Sequence, residues 1–231
     1  MLRTSDIKHS EYLGNSIKQN VISFIPEHID FSNNSIQFIS FINKLTENIH
    51  LEQATAVVAS SASALVALLV ALGYTPKEIK FKLKDVCFKR LFNDTNNRQL
   101  TLHVISNYKS VLCKQFKLLE IDNFIGWLED QINNKLENHM ATFADLNIQS
   151  KKQLGFKNIH LIVLNIGTGK LEVFNYRNTP DLPLAIAVRI CMSFSTAFSI
   201  VEIKNLMNGE SKSYMDGGIV LRQLGFRRKL Q

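Results

Sequence analysis

The longest uncharged run in the chain, Gln53 to Pro76 (QATAVVASSASALVALLVALGYTP), constrains the fold more than any other feature. It changes character midway: Ala56-Val57-Val58-Ala59 is β-prone, Ser60 to Ala64 are small, and Leu65 to Leu72 are helix-prone. The run predicts a buried strand, a tight turn carrying Ser61, and a buried helix. Such a turn thrusts one serine hydroxyl out at its apex, and it needs small neighbours because strand and helix backbones pass close together. Two other readings compete. A bilayer span needs about 20 predominantly apolar residues, but Ser60-Ser61-Ala62-Ser63 weakens the apolar centre and a helix-capping signal follows at once. A core strand and helix with no chemistry is the third, and the run alone does not separate it from the first.

At 231 residues and 45% hydrophobic, the chain can bury a core and is most simply one domain. A formal charge of +7 favours anionic partners, nucleic acid or an acidic lipid surface. No zinc-finger spacing or aromatic RNA-binding motif accompanies the charge or the terminal Arg227-Arg228-Lys229, so nucleic acid is not the expected partner. Cys87, Cys113 and Cys191 are odd in number and far apart, with no C-x-x-C pair. A disulfide or zinc framework is not expected, and a reducing compartment is the default. Met1-Leu2-Arg3-Thr4-Ser5-Asp6 leads into no apolar signal core. The expectation is an intracellular chain, cytoplasmic or peripheral to a membrane.

Taken in order, residues 1–26 suggest a short helix leading into the domain. Glu27 to Phe31 reads as a first strand, Ser32-Asn33-Asn34-Ser35 as a turn tolerant of left-handed backbone, and Ile36 to Leu45 as a helix. Strand, turn, helix, repeated at Ser61, suggests a parallel sheet of βαβ units. Gly73 is a helix stop, and Thr75-Pro76-Lys77-Glu78 is a capping box with proline at the first helical position, opening a helix to about Phe92. That helix mixes Lys77, Lys80, Lys82, Lys84, Lys89 and Arg90 with apolar residues. It reads either as a solvated face or as a surface that rests on anionic lipid.

Leu100 to His139 reads as mostly helical, with Asp122 a cap and Trp127 a core residue. Ile159 to Asn165 and Leu171 to Tyr176 are strands of a hairpin turning at Gly167-Thr168-Gly169-Lys170. That GTGK is not a phosphate-cradling loop: Leu164 stands where the first glycine belongs and Leu171 where Ser or Thr belongs. Asn178 to Pro183 stiffens the entry to a helix from Leu184. Ile200 to Ile203 and Tyr214-Met215 are short strands, the second running into Asp216-Gly217-Gly218.

These residues resemble the patatin-like phospholipases, lipid acyl hydrolases with a Ser-Asp dyad. Ala59-Ser60-Ser61-Ala62-Ser63 and the helix after it are similar to that family's G-x-S-x-G nucleophile elbow. Asn178 to Ala185 resembles the segment ahead of its second catalytic strand, and Asp216-Gly217-Gly218 its D-G-G/A motif. The resemblance covers roughly Ile29 to Val220. It implies an α/β, patatin-like three-layer fold with a central, mostly parallel sheet flanked by helices. Residues 1–28 would be an N-terminal extension and 29–231 the hydrolase domain, shortened at its C-terminus.

The implied activity is that of a carboxylic ester hydrolase acting on a lipid or phospholipid at a membrane surface, with no cofactor and no metal. Ser61 would be the nucleophile, Asp216 the proton acceptor, and backbone N–H groups of Asn33, Asn34 and Ser35 the oxyanion donors, with Ala59, Ser63, Gly217 and Gly218 supporting the two motifs. A serine needs a base within hydrogen-bond reach, and a carboxylate can take the proton directly, which leaves the six histidines without a required role. Carboxylates are weak bases in water, so such a dyad depends on a dry site.

The chain departs from the family pattern. Ala59 and Ser63 replace both elbow glycines and are less free to adopt φ > 0. The oxyanion loop G-G-G-x-[KR]-G corresponds to Asn33-Asn34-Ser35-Ile36-Gln37-Phe38. One lost oxyanion donor costs roughly 100- to 1000-fold in rate. The alternative is a catalytically degenerate relative that binds lipid or a partner without turnover.

Overall fold

The computed structural model describes residues 21–24, 54–84, 100–104, 123–193, 201–205, 211–218 and 220–221. The strand Glu27–Phe31, the turn Asn33-Asn34-Ser35, the helix Ile36–Leu45, the cap Asp122 and the helix end near Phe92 lie outside them.

The uncharged run folds as its composition predicts. Strand β2 (Ala56–Ala59) is buried at every position, and helix α1 (Ser63–Ala71) buries all nine of its residues. A helix apolar all round has no solvent face to offer and belongs in a core. Burying each Leu or Val side chain there contributes about 1.5–3 kcal/mol. Leu68→Ala would therefore cost about 2–5 kcal/mol, and a charge there would unseat the helix. Gly73 ends it as expected: at φ +77 it lets the N–H groups of Gly73 and Tyr74 bond back to the carbonyls of Val70 and Leu69 at 3.1 Å each. Helix α2 (Pro76–Lys84) opens with the expected box. Thr75 N–H donates to Glu78 Oε2 at 2.6 Å, and Glu78 N–H to Thr75 Oγ1 at 3.3 Å. No helix among the described residues is long and apolar enough to cross a membrane.

The remaining elements are β1 (Val21–Phe24), β3 (Leu100–Val104), α3 (Asn123–Leu136), α4 (Phe143–Lys152), β4 (Asn158–Asn165), β5 (Lys170–Phe174), α5 (Leu184–Cys191), β6 (Val201–Asn205) and β7 (Ser211–Asp216). The fold is α/β, and its sheet is mixed. β1–β2, β2–β4 and β3–β6 are parallel, while β4–β5, β4–β7 and β6–β7 are antiparallel. The order is β1-β2-β4-β7-β6-β3, with β5 also on β4.

Two expectations need correction, and one helix start was not expected. Val21–Phe24 is a strand, not part of a leading helix, and it pairs with β2 although it falls within the stretch expected as an extension. Leu100–Val104 is a strand rather than the start of a helix. Helix α4 follows an unexpected capping box, in which Asp145 N–H donates to Thr142 Oγ1 at 3.3 Å and Thr142 N–H to Asp145 Oδ2 at 2.9 Å. The GTGK stretch is the hairpin turn between β4 and β5, with Gly169 at φ +64.

The register of β4 brings two chain ends together. Leu161 pairs with Ala59 and with Phe174, and Val163 pairs with Asp216 and with Glu172. A strand has two edges, and β5 occupies one continuously. The last residues of β2 and β7 therefore lie end to end along the other, converging on Ile162. One face of this sheet packs Val57, Ala59, Ile159, Leu161 and Val163 into a core with α1, α3 and α5. On β4 the alternate residues His160 and Ile162 are also buried.

Candidate active site

Ser61 follows β2 and precedes α1, and its φ is +61. Left-handed backbone is uncommon for any residue but glycine and is held only where its surroundings fix it. Here the Ser61 carbonyl accepts the Ala64 N–H at 2.9 Å, and the buried Ser63 hydroxyl donates to the Ser60 carbonyl at 2.7 Å, closing the turn on both sides. Among the described non-glycine residues, positive φ occurs at Ser61 and at Glu137. Ala59 and Ser63 thus hold ordinary backbone, and the turn does not need glycine at either place. Ser61 is half-buried, whereas Ser60 and Ser63 are fully buried. Helix α1 follows directly after Ser61 through its N-cap Ala62, with no side-chain cap, so the positive end of its dipole lies beside Ser61.

Asp216 ends β7 and is fully buried. Its backbone N–H donates to the Ser193 carbonyl at 2.9 Å, just beyond α5. Its Oδ1 accepts the Gly218 N–H at 2.7 Å and lies 3.4 Å from the Ser60 hydroxyl. That hydroxyl also reaches the Ile162 carbonyl at 3.1 Å.

Of the two glycines after Asp216, Gly217 is sterically required and Gly218 is closely packed. A Cβ on Gly217 would sit 2.7 Å from the Ile162 carbonyl oxygen. A Cβ on Gly218 would sit 3.0 Å from Asp216 Oδ1, 3.2 Å from Ser61 Cβ and 3.4 Å from Ser60 Oγ. Ser61 Cβ and Asp216 Oδ1 therefore both lie within 3.2 Å of one point beside Gly218, although 155 positions of sequence separate the two residues.

Two neighbours were not anticipated. Ser60 ties the β2 end to both Ile162 and Asp216, and its position before Ser61 was the only signal for it. Cys191, the last residue of α5, places its thiol 3.5 Å from the Ile162 carbonyl. Burial and the Asp216 charge hold that thiol well above its usual pKa, outweighing opposing hydrogen bonds from Ser61 and Ser60. It stays a neutral thiol, which removes it as a rival nucleophile.

Asn33, Asn34 and Ser35 lie outside the described residues. His160, expected to be structural, is buried in β4. Burial lowers its pKa to about 4, with Arg177 adding to the shift. Among the described residues no group of His, Cys, Asp and Glu is arranged to hold a metal ion.

Residues 35–223 match the family model for patatin-like phospholipase. The probable lipid hydrolase 463L of Invertebrate iridescent virus 6 is 23% identical over 159 residues, covering 69% of this chain and 48% of that protein. The fold is similar to VipD from Legionella pneumophila, with TM-score 0.52, 18% identity, and coverage of 80% of this chain and 44% of that one. It is also similar to ExoU of the Pseudomonas aeruginosa type III secretion system, solved in complex with SpcU, with TM-score 0.51, 18% identity, and coverage of 78% and 39%. The chain spans less than half the length of each of these three proteins. With the family model matched over most of its length, the chain belongs to the patatin-like phospholipase family.

Proposed function

We propose that this chain hydrolyses acyl esters of lipids, with Ser61 as nucleophile and Asp216 as general base. The observation that carries the reading is the convergence at Gly218, where the Cβ of a serine on a left-handed turn and an oxygen of a buried carboxylate lie within 3.2 Å of one point. Family membership and the viral lipid hydrolase support the reaction class.

In this mechanism Ser61 Oγ attacks the ester carbonyl while its proton passes to Asp216. The tetrahedral oxyanion is stabilised by the positive field of the α1 N-terminus. Collapse breaks the ester C–O bond, and Asp216 returns the proton to the leaving alcohol. Water then attacks the acyl-serine, giving its proton to Asp216, and Ser61 is released with a free fatty acid. A lipid interface supplies the dry surroundings that a carboxylate base requires.

The degenerate alternative rested partly on the missing elbow glycines. Ordinary φ at Ala59 and Ser63 weakens that ground. The discriminating experiment is fatty-acid release from phospholipid vesicles by wild type and Ser61→Ala. Release that depends on Ser61 supports the hydrolase, and vesicle binding without release supports the alternative.

A further inference from the structure

We infer that the groove between α2 and α3 is a binding site for anionic phospholipid headgroups, separate from the ester site. This deepens the proposed lipid reading by assigning where the chain meets the lipid surface, and it does not depend on Ser61.

The groove holds about 530 Å³, and Tyr74, Glu78, Phe81, Lys82, Trp127 and Lys135 are among the residues that line it. Two ammonium groups contact one aromatic ring: Lys82 Nζ is 4.6 Å and Lys135 Nζ 4.3 Å from the Tyr74 centroid. The one carboxylate lining the groove, Glu78, lies 3.7 Å from Lys135, and Lys82 is met by the neutral Gln131 Oε1 at 2.7 Å. With one carboxylate against two ammonium groups, the lining carries a net positive charge that favours an anion.

The rim supplies the apolar half of the argument. Phe81 is 70% exposed, an unusual state for a phenylalanine, and the exposed Lys77 and Lys80 share its side of α2. Ile79 and Leu83 are buried on the opposite side and fix the helix. An exposed aromatic ringed by lysines fits a headgroup layer, where the ring enters the apolar boundary and the ammoniums meet phosphate. A soluble acidic peptide would use the lysines but leave Phe81 in water. The nine-residue α1 lies between Ser61 and Tyr74, a rise of about 13 Å, so the groove is set apart from Ser61.

Trp127 is the chain's one tryptophan and lines the groove, so its emission reports occupancy directly. The full chain is titrated with phosphatidylcholine vesicles, with and without phosphatidylserine, following Trp127 emission and co-sedimentation. The proposal expects a blue shift and salt-sensitive sedimentation only with phosphatidylserine, retained in Ser61→Ala. It expects binding about 30-fold weaker in the Lys82→Gln, Lys135→Gln double variant, at about fivefold per lysine, and weaker again with Phe81→Ser. Lys82→Arg with Lys135→Arg should restore most of it. Three outcomes would overturn the proposal: no response to anionic vesicles, a response unchanged in the double variant, or a response to inorganic phosphate or polyglutamate equal to that for vesicles. Loss of ester hydrolysis in Ser61→Ala with binding intact leaves the two readings separately tested.

Discussion

Ser61 Cβ and Asp216 Oδ1 crowd the same point beside Gly218, because β2 and β7 end against each other on one edge of β4. The Ile162 carbonyl marks the junction, approached by the Ser60 hydroxyl at 3.1 Å and packed closely by Gly217.

Gly217 and Gly218 should respond differently to alanine. At Gly217 the added carbon meets backbone at 2.7 Å, which cannot swing aside, so Gly217→Ala should destabilise by about 1–3 kcal/mol. At Gly218 it meets Asp216 and Ser61 side chains at 3.0 and 3.2 Å. A shift of a few tenths of an ångström relieves it, so the fold survives while the two groups are displaced. Ester hydrolysis should fall by about 100-fold. Urea midpoints and turnover, measured on both variants, check this split.

Ser60 acts on Asp216 through geometry. Its hydroxyl reaches Asp216 Oδ1 and the Ile162 carbonyl, and removing it leaves both with one partner fewer in a buried site. Ser60→Ala should cost about 1–3 kcal/mol of stability and lower kcat with little change in KM. Ser60→Thr, which keeps the hydroxyl, should recover part of kcat. Steady-state kinetics on a short-chain ester separate the two parameters.

The left-handed turn sets stability against function at Ser61. A residue with a Cβ at φ +61 is strained by about 1 kcal/mol or more, and glycine is not. Ser61→Gly should be more stable than Ser61→Ala by about 1 kcal/mol, with both inactive. Thermal unfolding of the pair provides the comparison.

His160 predicts a pH dependence of stability. Its folded-state pKa is lowered to about 4 from an ordinary 6.5, chiefly by burial. Between those values the unfolded chain binds a proton that the folded chain refuses. Stability is therefore full above about 6.5 and falls by about 1.4 kcal/mol per pH unit toward pH 4. His160→Leu should flatten that slope, read from urea midpoints across the interval.

What could be read from the sequence was local. The uncharged run, the capping box at Thr75 and Glu78, and the stop at Gly73 each involve neighbours a few residues apart, and each folds as read. The strands Val21–Phe24 and Leu100–Val104 are only four and five residues long, too short for a period of two to outweigh helical neighbours. Thr142 and Asp145 did carry the signal for α4, but a T-x-x-D box departs from the usual capping pattern, which has Glu or Gln at the fourth place. The convergence at Ile162 was not legible. It depends on strand pairing between residues far apart, as does the contact between Ser60 and Asp216, 156 positions along the chain. The two motifs could be named from the sequence, but their meeting at Gly218 required coordinates.

Labelling with a fluorophosphonate tests the dyad most directly, since the reagent reacts with a serine only when a nearby base activates it. The account predicts covalent labelling of folded wild type, loss of it in Ser61→Ala, and strong attenuation in Asp216→Asn. Folded wild type that takes no label, or label that persists undiminished in Ser61→Ala, would contradict it.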